Sequence, residues 1–344
     1  MAGLLMVGLF LLPSTVMAQS PGGVRPFTSA VPGNVAKSIG QYKILYIPAT
    51  FLDRYDMPIT QAEAQGMMRE VADFYAASSY GQLTILPTVC PGVVLPHSAA
   101  WYEQRDAAVG VNGDMDSRRV LHADARAAAR KLGYDSNAFD LTIVRQDSEL
   151  TNNASTNEGF LWLGSNDAST AAHEIGHTLG LNHANAWSTS GTSVSGPGAD
   201  EEYGHVFDRM ALYTVPFPEG QFNVVAKSQL GWLPSSAVRR ITSSGTYRID
   251  AMDTGRLEAG HGYALQIVKD AQRTYWAEVR SLFDSNPWAA KGVVLQWSFP
   301  QGGTSNAQLL DTTPGSPFGM ADSPLSVGRT FSDREAGIHL TTLA

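Results

Sequence analysis

Residues 173–183 read His173-Glu174-Ile175-Gly176-His177-Thr178-Leu179-Gly180-Leu181-Asn182-His183, and this stretch restricts the local fold more tightly than any other in the chain. His173 and His177 are four positions apart, so on a helix they stand one turn apart on one face, about 40° from each other around the axis. Both imidazoles can then reach one zinc ion at about 2.0–2.1 Å. Glu174 is offset by one position, too far round the helix to be an in-line ligand. That offset suits it to hold the zinc-bound water as general base. Gly180 takes positive φ at little cost, so the chain can turn there and bring His183 back as third ligand. Three imidazoles leave a fourth coordination position open, as a catalytic site requires and a structural site does not. The competing reading is a set of ordinary surface or buried histidines. With 33 glycines and 8 histidines in the chain, Gly and His at the two further offsets coincide by chance with a probability of only about 0.002, which favours the metal site.

At 344 residues the chain suits two domains, or one with a large appendage. Residues 19–40 read as a flexible leader. Strands are expected at Tyr42–Ile47 (closed by Pro48), Gln82–Leu86 (between Gly81 and Pro87) and Asp140–Val144, and helices over Thr60–Tyr80 and Arg118–Leu132. Thr151–Asn157 reads as a polar loop. The motif helix is expected to begin near Asp167 or Ser169 and run to Leu179, with Gly180 as a left-handed cap. Trp187–Asp200 reads as irregular and Phe222–Leu230 as a short helix. From about residue 236 the pattern changes to short alternating runs, at Thr246–Ile249, Tyr263–Val268, Tyr275–Val279 and Gly292–Trp297, separated by turn residues. That is the pattern of a sandwich-like all-β module.

Met1–Ala18 carries a short apolar core at Leu4–Leu12 and ends Val16-Met17-Ala18, small residues where a signal peptidase would cut before Gln19. The run is too short to span a bilayer, so after cleavage no stable membrane anchor is expected. The alternative for this segment is an apolar N-terminal strand or helix. A single cysteine, Cys90, excludes an intramolecular disulfide, leaving a large core, metal, or both as sources of stability. That combination suits a secreted or periplasmic enzyme of bacterial type. The net charge of −8 and the absence of any Lys/Arg run argue against nucleic acid as a partner.

The spacing His-Glu-x-x-His-x-x-Gly-x-x-His is the metzincin pattern, and it calls for a methionine-bearing turn beneath the metal. Met210 lies 27 residues after His183, in Glu202-Tyr203-Gly204-His205-Val206-Phe207-Asp208-Arg209-Met210. This segment resembles the Glu-Tyr-Gly-Asp-x-x-Asp-x-Met-Gly stretch of the gametolysin and immune-inhibitor-A-like peptidases. Phe222-Asn223 with Lys227-Ser228-Gln229-Leu230-Gly231-Trp232-Leu233 is similar to a further segment of that family, as is Ser79-Tyr80-Gly81-Gln82-Leu83. Leu309–Pro314 and Gly328–Asp333 resemble strands of its β-rich region. His205 stands where the family has Asp, and Ala211 where it has Gly. The resemblance implies an α+β protein. Its parts would be a metzincin-type catalytic domain with a mixed sheet and active-site helix over residues 41–235, then a β-rich sandwich-like accessory module over 236–344.

Several residues carry weaker signals. His205 reads as a hydrogen-bonded or exposed histidine, with a fourth ligand or regulator as the alternative. Tyr213 is a candidate for stabilising an oxyanion, against ordinary packing. Cys90 is read as a structural cysteine, against a thiolate that blocks the metal. Asp200-Glu201-Glu202 is read as a solvated cluster, against calcium binding. Tyr275, Trp276, Trp288 and Trp297 are read as core residues, against a sugar platform. Together these features lead to the expectation of a secreted zinc endopeptidase acting on protein or peptide substrates, with metal ligands His173, His177 and His183 and general base Glu174. The alternatives are a binding or adhesion protein with a non-catalytic zinc site, and a zinc hydrolase of a peptidoglycan or glycoprotein linkage. Oligomeric state is not legible.

Overall fold

The computed structural model describes residues 5–11, 37–109, 114–148, 154–157, 160–189, 193–212, 215–299 and 305–344. The fold is α+β with mixed sheets, and it divides into two compact units. One comprises residues 37–76 and 81–180, the other residues 1–36, 77–80 and 181–344. The first strand, β1 (Leu5–Leu11), lies within the segment read as a signal peptide and belongs to the second unit. Among the described residues no helix is long and apolar enough to cross a membrane.

The first unit is built on a sheet of β2 (Gly40–Thr50), β3 (Leu83–Val89), β4 (Val93–Val94), β5 (Leu141–Arg145), β6 (Ala154–Asn157) and β7 (Phe160–Leu163). The order is β3-β2-β5-β7-β6, with β4 continuing beside β2. All pairs are parallel except β6 with β7. The helices are α1 (Gln61–Ser78), α2 (Ala99–Val109), α3 (Asp114–Lys131) and α4 (Ala168–Thr178). A capping box opens α1: Thr60 Oγ1 accepts from the Glu63 N–H at 3.2 Å, and the Glu63 carboxylate accepts from the Thr60 N–H at 3.0 Å. Leu45, Ile47 and Phe51 of the β2 region form one core with Tyr102, Leu121, Ala125, Val144 and Trp162, so α2 and α3 cover this face of the sheet. On the alternate positions of β2, the Tyr42 hydroxyl lies 3.4 Å from Thr178 Oγ1, which puts α4 on the opposite face. A strand buried on both faces reads as a continuous apolar run, as Ile44–Ile47 does.

Three expectations about this unit are corrected. Strand β2 passes through Pro48 rather than stopping before it. The Tyr46 carbonyl accepts from Cys90 N and the Thr50 carbonyl from Leu95 N, so Pro48 faces the gap between β3 and β4, where no partner needs its missing N–H. Strand β3 likewise continues through Pro87, which an edge strand tolerates. Ala154–Asn157, expected as a loop, is the antiparallel edge strand β6, held by backbone pairing to Phe160–Leu163.

The second unit contains β8 (His183–Thr189), β9 (Gly198–Glu201), α5 (Val224–Gln229), β10 (Val238–Arg240), β11 (Gly245–Ile249), β12 (Ala264–Val268), β13 (Thr274–Val279), β14 (Gly292–Ser298), β15 (Ser305–Leu310), β16 (Leu325–Ser326), β17 (Thr330–Asp333) and β18 (Ile338–Thr342). One sheet has the order β10-β12-β13-β14-β15-β8-β9 with β16 beside β14, and the other the order β11-β1-β18-β17. Of the stretch expected to be irregular, Trp187–Asp200, residues 187–189 belong to β8 and residues 198–200 to β9, and the described residues between them are in neither strand. Strand β8 runs parallel to β15, more than a hundred residues later, so its stabilising partner is remote in sequence. Cleavage after Ala18 would remove β1 from between β11 and β18.

The two sheets enclose a core of Ile249, Leu265, Ile267, Tyr275, Leu295, Trp297, Phe331 and Leu340. The other face of the larger sheet is also covered. Val294 and Leu309 meet Phe207 and Ala211, and Ala264 and Trp276 meet Val224, Val225 and Leu233. Strand β14 therefore buries alternate residues on both faces. Its outward row (Val294, Gln296) packs against and hydrogen-bonds to the 205–211 segment.

A histidine triad and its supports

Helix α4 starts where its sequence says it should. Asp167 is the N-cap, its carboxylate accepting from Ser169 N at 3.3 Å and Thr170 N at 2.9 Å. Ala171, Ala172 and Ile175 form the buried side, and Tyr75 of α1 donates to the Ala172 carbonyl at 2.7 Å. Leu179 is the C-cap. Gly180 follows with φ +94°, the left-handed conformation that turns the chain out of the helix. Three residues later His183 opens β8.

This turn brings the three histidines together. Each offers a ring nitrogen, and the three nitrogens lie within 4.8 Å of one another, close enough to hold one metal ion. Nε2 of His173 and Nε2 of His177 are 3.1 Å apart, with the rings nearly perpendicular at 83°. Two imidazoles bound tetrahedrally at about 2.0–2.1 Å would place their nitrogens about 3.3–3.4 Å apart, so this separation suits two lone pairs sharing a cation. All three rings are half-buried, and Glu174 is buried beside His173 on the helix. Among the described residues this is the one place where three or more His, Cys, Asp or Glu side chains converge at ligand distance. The donor set is all imidazole, which suits zinc and neighbouring transition metals better than calcium or magnesium.

The segment after β9 supports this site from the strand next to His183. Ala184 N donates to the Met210 carbonyl at 2.9 Å, and His205 N donates to the Ala184 carbonyl at 3.2 Å. Met210 is fully buried. Its own N–H is held at 2.6 Å by the buried carboxylate of Asp208, which also accepts from Asn223 N at 2.5 Å and Asn223 Nδ2 at 2.7 Å. Asn223 in turn caps α5 by accepting from Ala226 N. One carboxylate thus ties the methionine turn to the start of the next helix.

Beneath this segment lies a buried ionic network. Glu278 and Arg280 form a fully buried pair at 2.7 Å. Arg280 Nη1 donates to the Phe207 carbonyl at 2.6 Å, and Glu278 accepts from Val224 N and Gln296 Nε2. Every one of these bonds ends on the 205–224 stretch or on the sheet below it, so the pair fixes where that stretch sits. Lys227 is buried nearby, donating to Gln221 Oε1, the Met252 carbonyl and the Tyr80 hydroxyl. Burial first, then the Arg280 charge, lowers its pKa to about 7.

The secondary candidates separate clearly. His205 is buried, and its Nε2 donates to Gln296 Oε1 at 2.8 Å, because the Gln296 amide is committed to Glu278. Burial lowers its pKa, so it packs as a neutral ring, outside the triad. Cys90 is fully buried in the first unit's core and donates to the Pro91 carbonyl, and burial pushes its thiol up to about 11. A thiol held neutral in this way is a packing residue rather than a thiolate donor. Asp200 does not join its acidic neighbours: it accepts from Asn185 Nδ2 at 2.6 Å and from Gln308. Tyr275, Trp276 and Trp297 are buried, while Trp288 is half-buried, its ring tilted against that of exposed Phe318. Tyr213 lies outside the described residues.

Sequence reasoning missed the partner of His183. Glu202 Oε1 lies 2.7 Å from His183 Nδ1, and the Tyr203 ring packs on the imidazole at 3.9 Å between centroids. Nothing in local spacing announces a contact over 19 residues; the only hint was that Glu202 and Tyr203 open the methionine-bearing segment. No protein-family model matches this sequence, and no curated protein matches it significantly.

Proposed function

We propose that this protein is an exported zinc-dependent endopeptidase of metzincin type, with His173, His177 and His183 as zinc ligands and Glu174 as general base. The observation that carries the reading is the convergence of the three imidazoles with Glu174 buried next to them. A mixed sheet with α4 on one face, and Met210 bonded to the residue after His183, support the metzincin assignment.

A bound zinc would supply Lewis-acid polarisation of the scissile carbonyl and would bring the pKa of water at the open position to about 7. The protein's own contribution is positional. Helix α4 fixes two imidazoles one turn apart, so neither must reorganise to accept the cation. Glu174 takes the proton of the attacking water and returns it to the leaving amine, one carboxylate serving as base and then as acid. The expected substrates are proteins or peptides outside the cell or in a periplasm. A chain with net charge −8 and no basic run gives nucleic acid no footprint.

The test is zinc content together with cleavage of casein by the purified chain. One zinc per chain and cleavage that a chelator abolishes and added zinc restores are expected. A chain that takes up no zinc, or leaves casein intact when zinc-loaded, would refute the reading.

A further inference from the structure

Among the described residues Tyr203 is one of two non-glycine residues with positive φ, at +62°, a conformation that costs a bulky residue about 1–2 kcal/mol. That conformation is held from several sides. Tyr203 N donates to Asn185 Oδ1 at 3.0 Å, and Asn185 Nδ2 donates to Asp200 at 2.6 Å. Gln308 of β15 donates to the other oxygen of Asp200, and Trp297 of β14 donates to Gln308 at 2.5 Å. Asn185, Gln308 and Trp297 are all buried. On the other side Gly204 lies so close to β8 that a Cβ there would meet the Ala186 methyl at 2.6 Å. The sheet thus holds the 202–204 turn in a strained shape and presses it on the strand that begins with His183.

The strained turn places two side chains on one imidazole. The Glu202 carboxylate reaches Nδ1 at 2.7 Å and the Tyr203 ring covers a face at 3.9 Å, tilted by 36°. A carboxylate on Nδ1 selects the tautomer with its proton there, and so turns the Nε2 lone pair outward as a ligand. As an exposed ion pair the same contact would contribute little to folding.

We propose that Glu202 and Tyr203 are positioning residues for His183, a bracket that sets its tautomer and ring orientation for metal binding and that the β-rich sheet holds through Asn185, Asp200 and Gln308. This rests on the triad being a metal site. The bracket gives strands β14 and β15 a part in holding the third ligand.

The experiment is zinc affinity by competition with a chromophoric chelator on the full chain, with the melting temperature of the zinc-free form measured beside it. Glu202→Ala is expected to weaken zinc binding by about 10–100-fold. Glu202→Gln, whose amide oxygen still accepts from Nδ1, is expected to lose less, and the neighbouring Glu201→Ala nothing. The zinc-free melting temperatures of all three should match that of the parent chain, which separates positioning from folding. Parent-like zinc affinity in Glu202→Ala would overturn the bracket, as would an equal loss in Glu201→Ala. If Glu202→Ala does not fold, Glu202→Gln decides: its zinc affinity must fall below that of Glu201→Ala. A parent chain that binds no zinc would instead remove the metal site itself, and the bracket with it.

Discussion

Ala184, the residue after the third histidine, donates its backbone N–H to the carbonyl of Met210 at 2.9 Å. The methionine turn is therefore joined by main chain to the strand that carries His183. The turn's backbone is held by the Asp208 carboxylate. Asp208 is fully buried and accepts three N–H groups, one of them from Met210.

Asp208→Ala should accordingly be among the most damaging single changes in the chain. It leaves three buried donors without their acceptor, at about 1–3 kcal/mol for each unsatisfied group before relaxation. Met210→Leu, close in volume, should cost less than about 1.5 kcal/mol. Urea unfolding of the two variants checks this order. A Met210→Leu loss larger than that of Asp208→Ala would show that the sulfur-bearing side chain, not the carboxylate, holds the turn.

Gly180 is the second pressure point. At φ +94° an alanine is expected to cost about 1–2 kcal/mol. The strain falls on the three-residue turn that returns His183, so Gly180→Ala should weaken zinc affinity as well as lower the melting temperature. A variant that melts early but binds zinc like the parent chain would mean that the turn has slack.

His122 makes stability depend on pH. It is fully buried, with Nε2 3.2 Å from the Thr142 carbonyl, and burial together with the Arg126 charge lowers its pKa from 6.5 to about 4, against the opposing hydrogen bond. Between those values the unfolded chain holds a proton that the folded chain does not, so stability falls as pH drops from 6.5 towards 4 and is unaffected by this group above 6.5. Over that range the loss amounts to about 3 kcal/mol, because holding the ring neutral costs about 1.4 kcal/mol more for each pH unit. Denaturant titrations at pH 7 and pH 4.5 should show a smaller difference in His122→Gln than in the parent chain. Equal differences would place the acid sensitivity elsewhere.

The readable parts of the sequence were those whose causes are local. Asp167 and Gly180 bound the motif helix because a cap needs only its neighbours, and the apolar alternation at Tyr275–Val279 and Gly292–Trp297 marks strands wherever they pair. The parts that escaped are set by distant partners. Strand β8 mixes small and polar residues and becomes a strand by pairing with β15 and β9, and Ala154–Asn157 becomes one beside β7. The contact of Glu202 with His183 depends on a turn whose shape is imposed by Asn185 and by Gln308, far along the chain. The convergence of the three histidines was legible and its supports were not, because the histidine spacing is a property of one helix and one glycine while the supports come from a sheet.

The most direct measurement of the central claim is zinc content and casein cleavage in Glu174→Gln, side by side with the parent chain. Glutamine keeps the shape of the side chain and removes its basicity, while His173, His177 and His183 are untouched. The expected result is full zinc occupancy with cleavage reduced by at least about 100-fold. Full zinc occupancy with cleavage at the parent rate would contradict the assignment of Glu174, and with it the reading of this site as a peptidase.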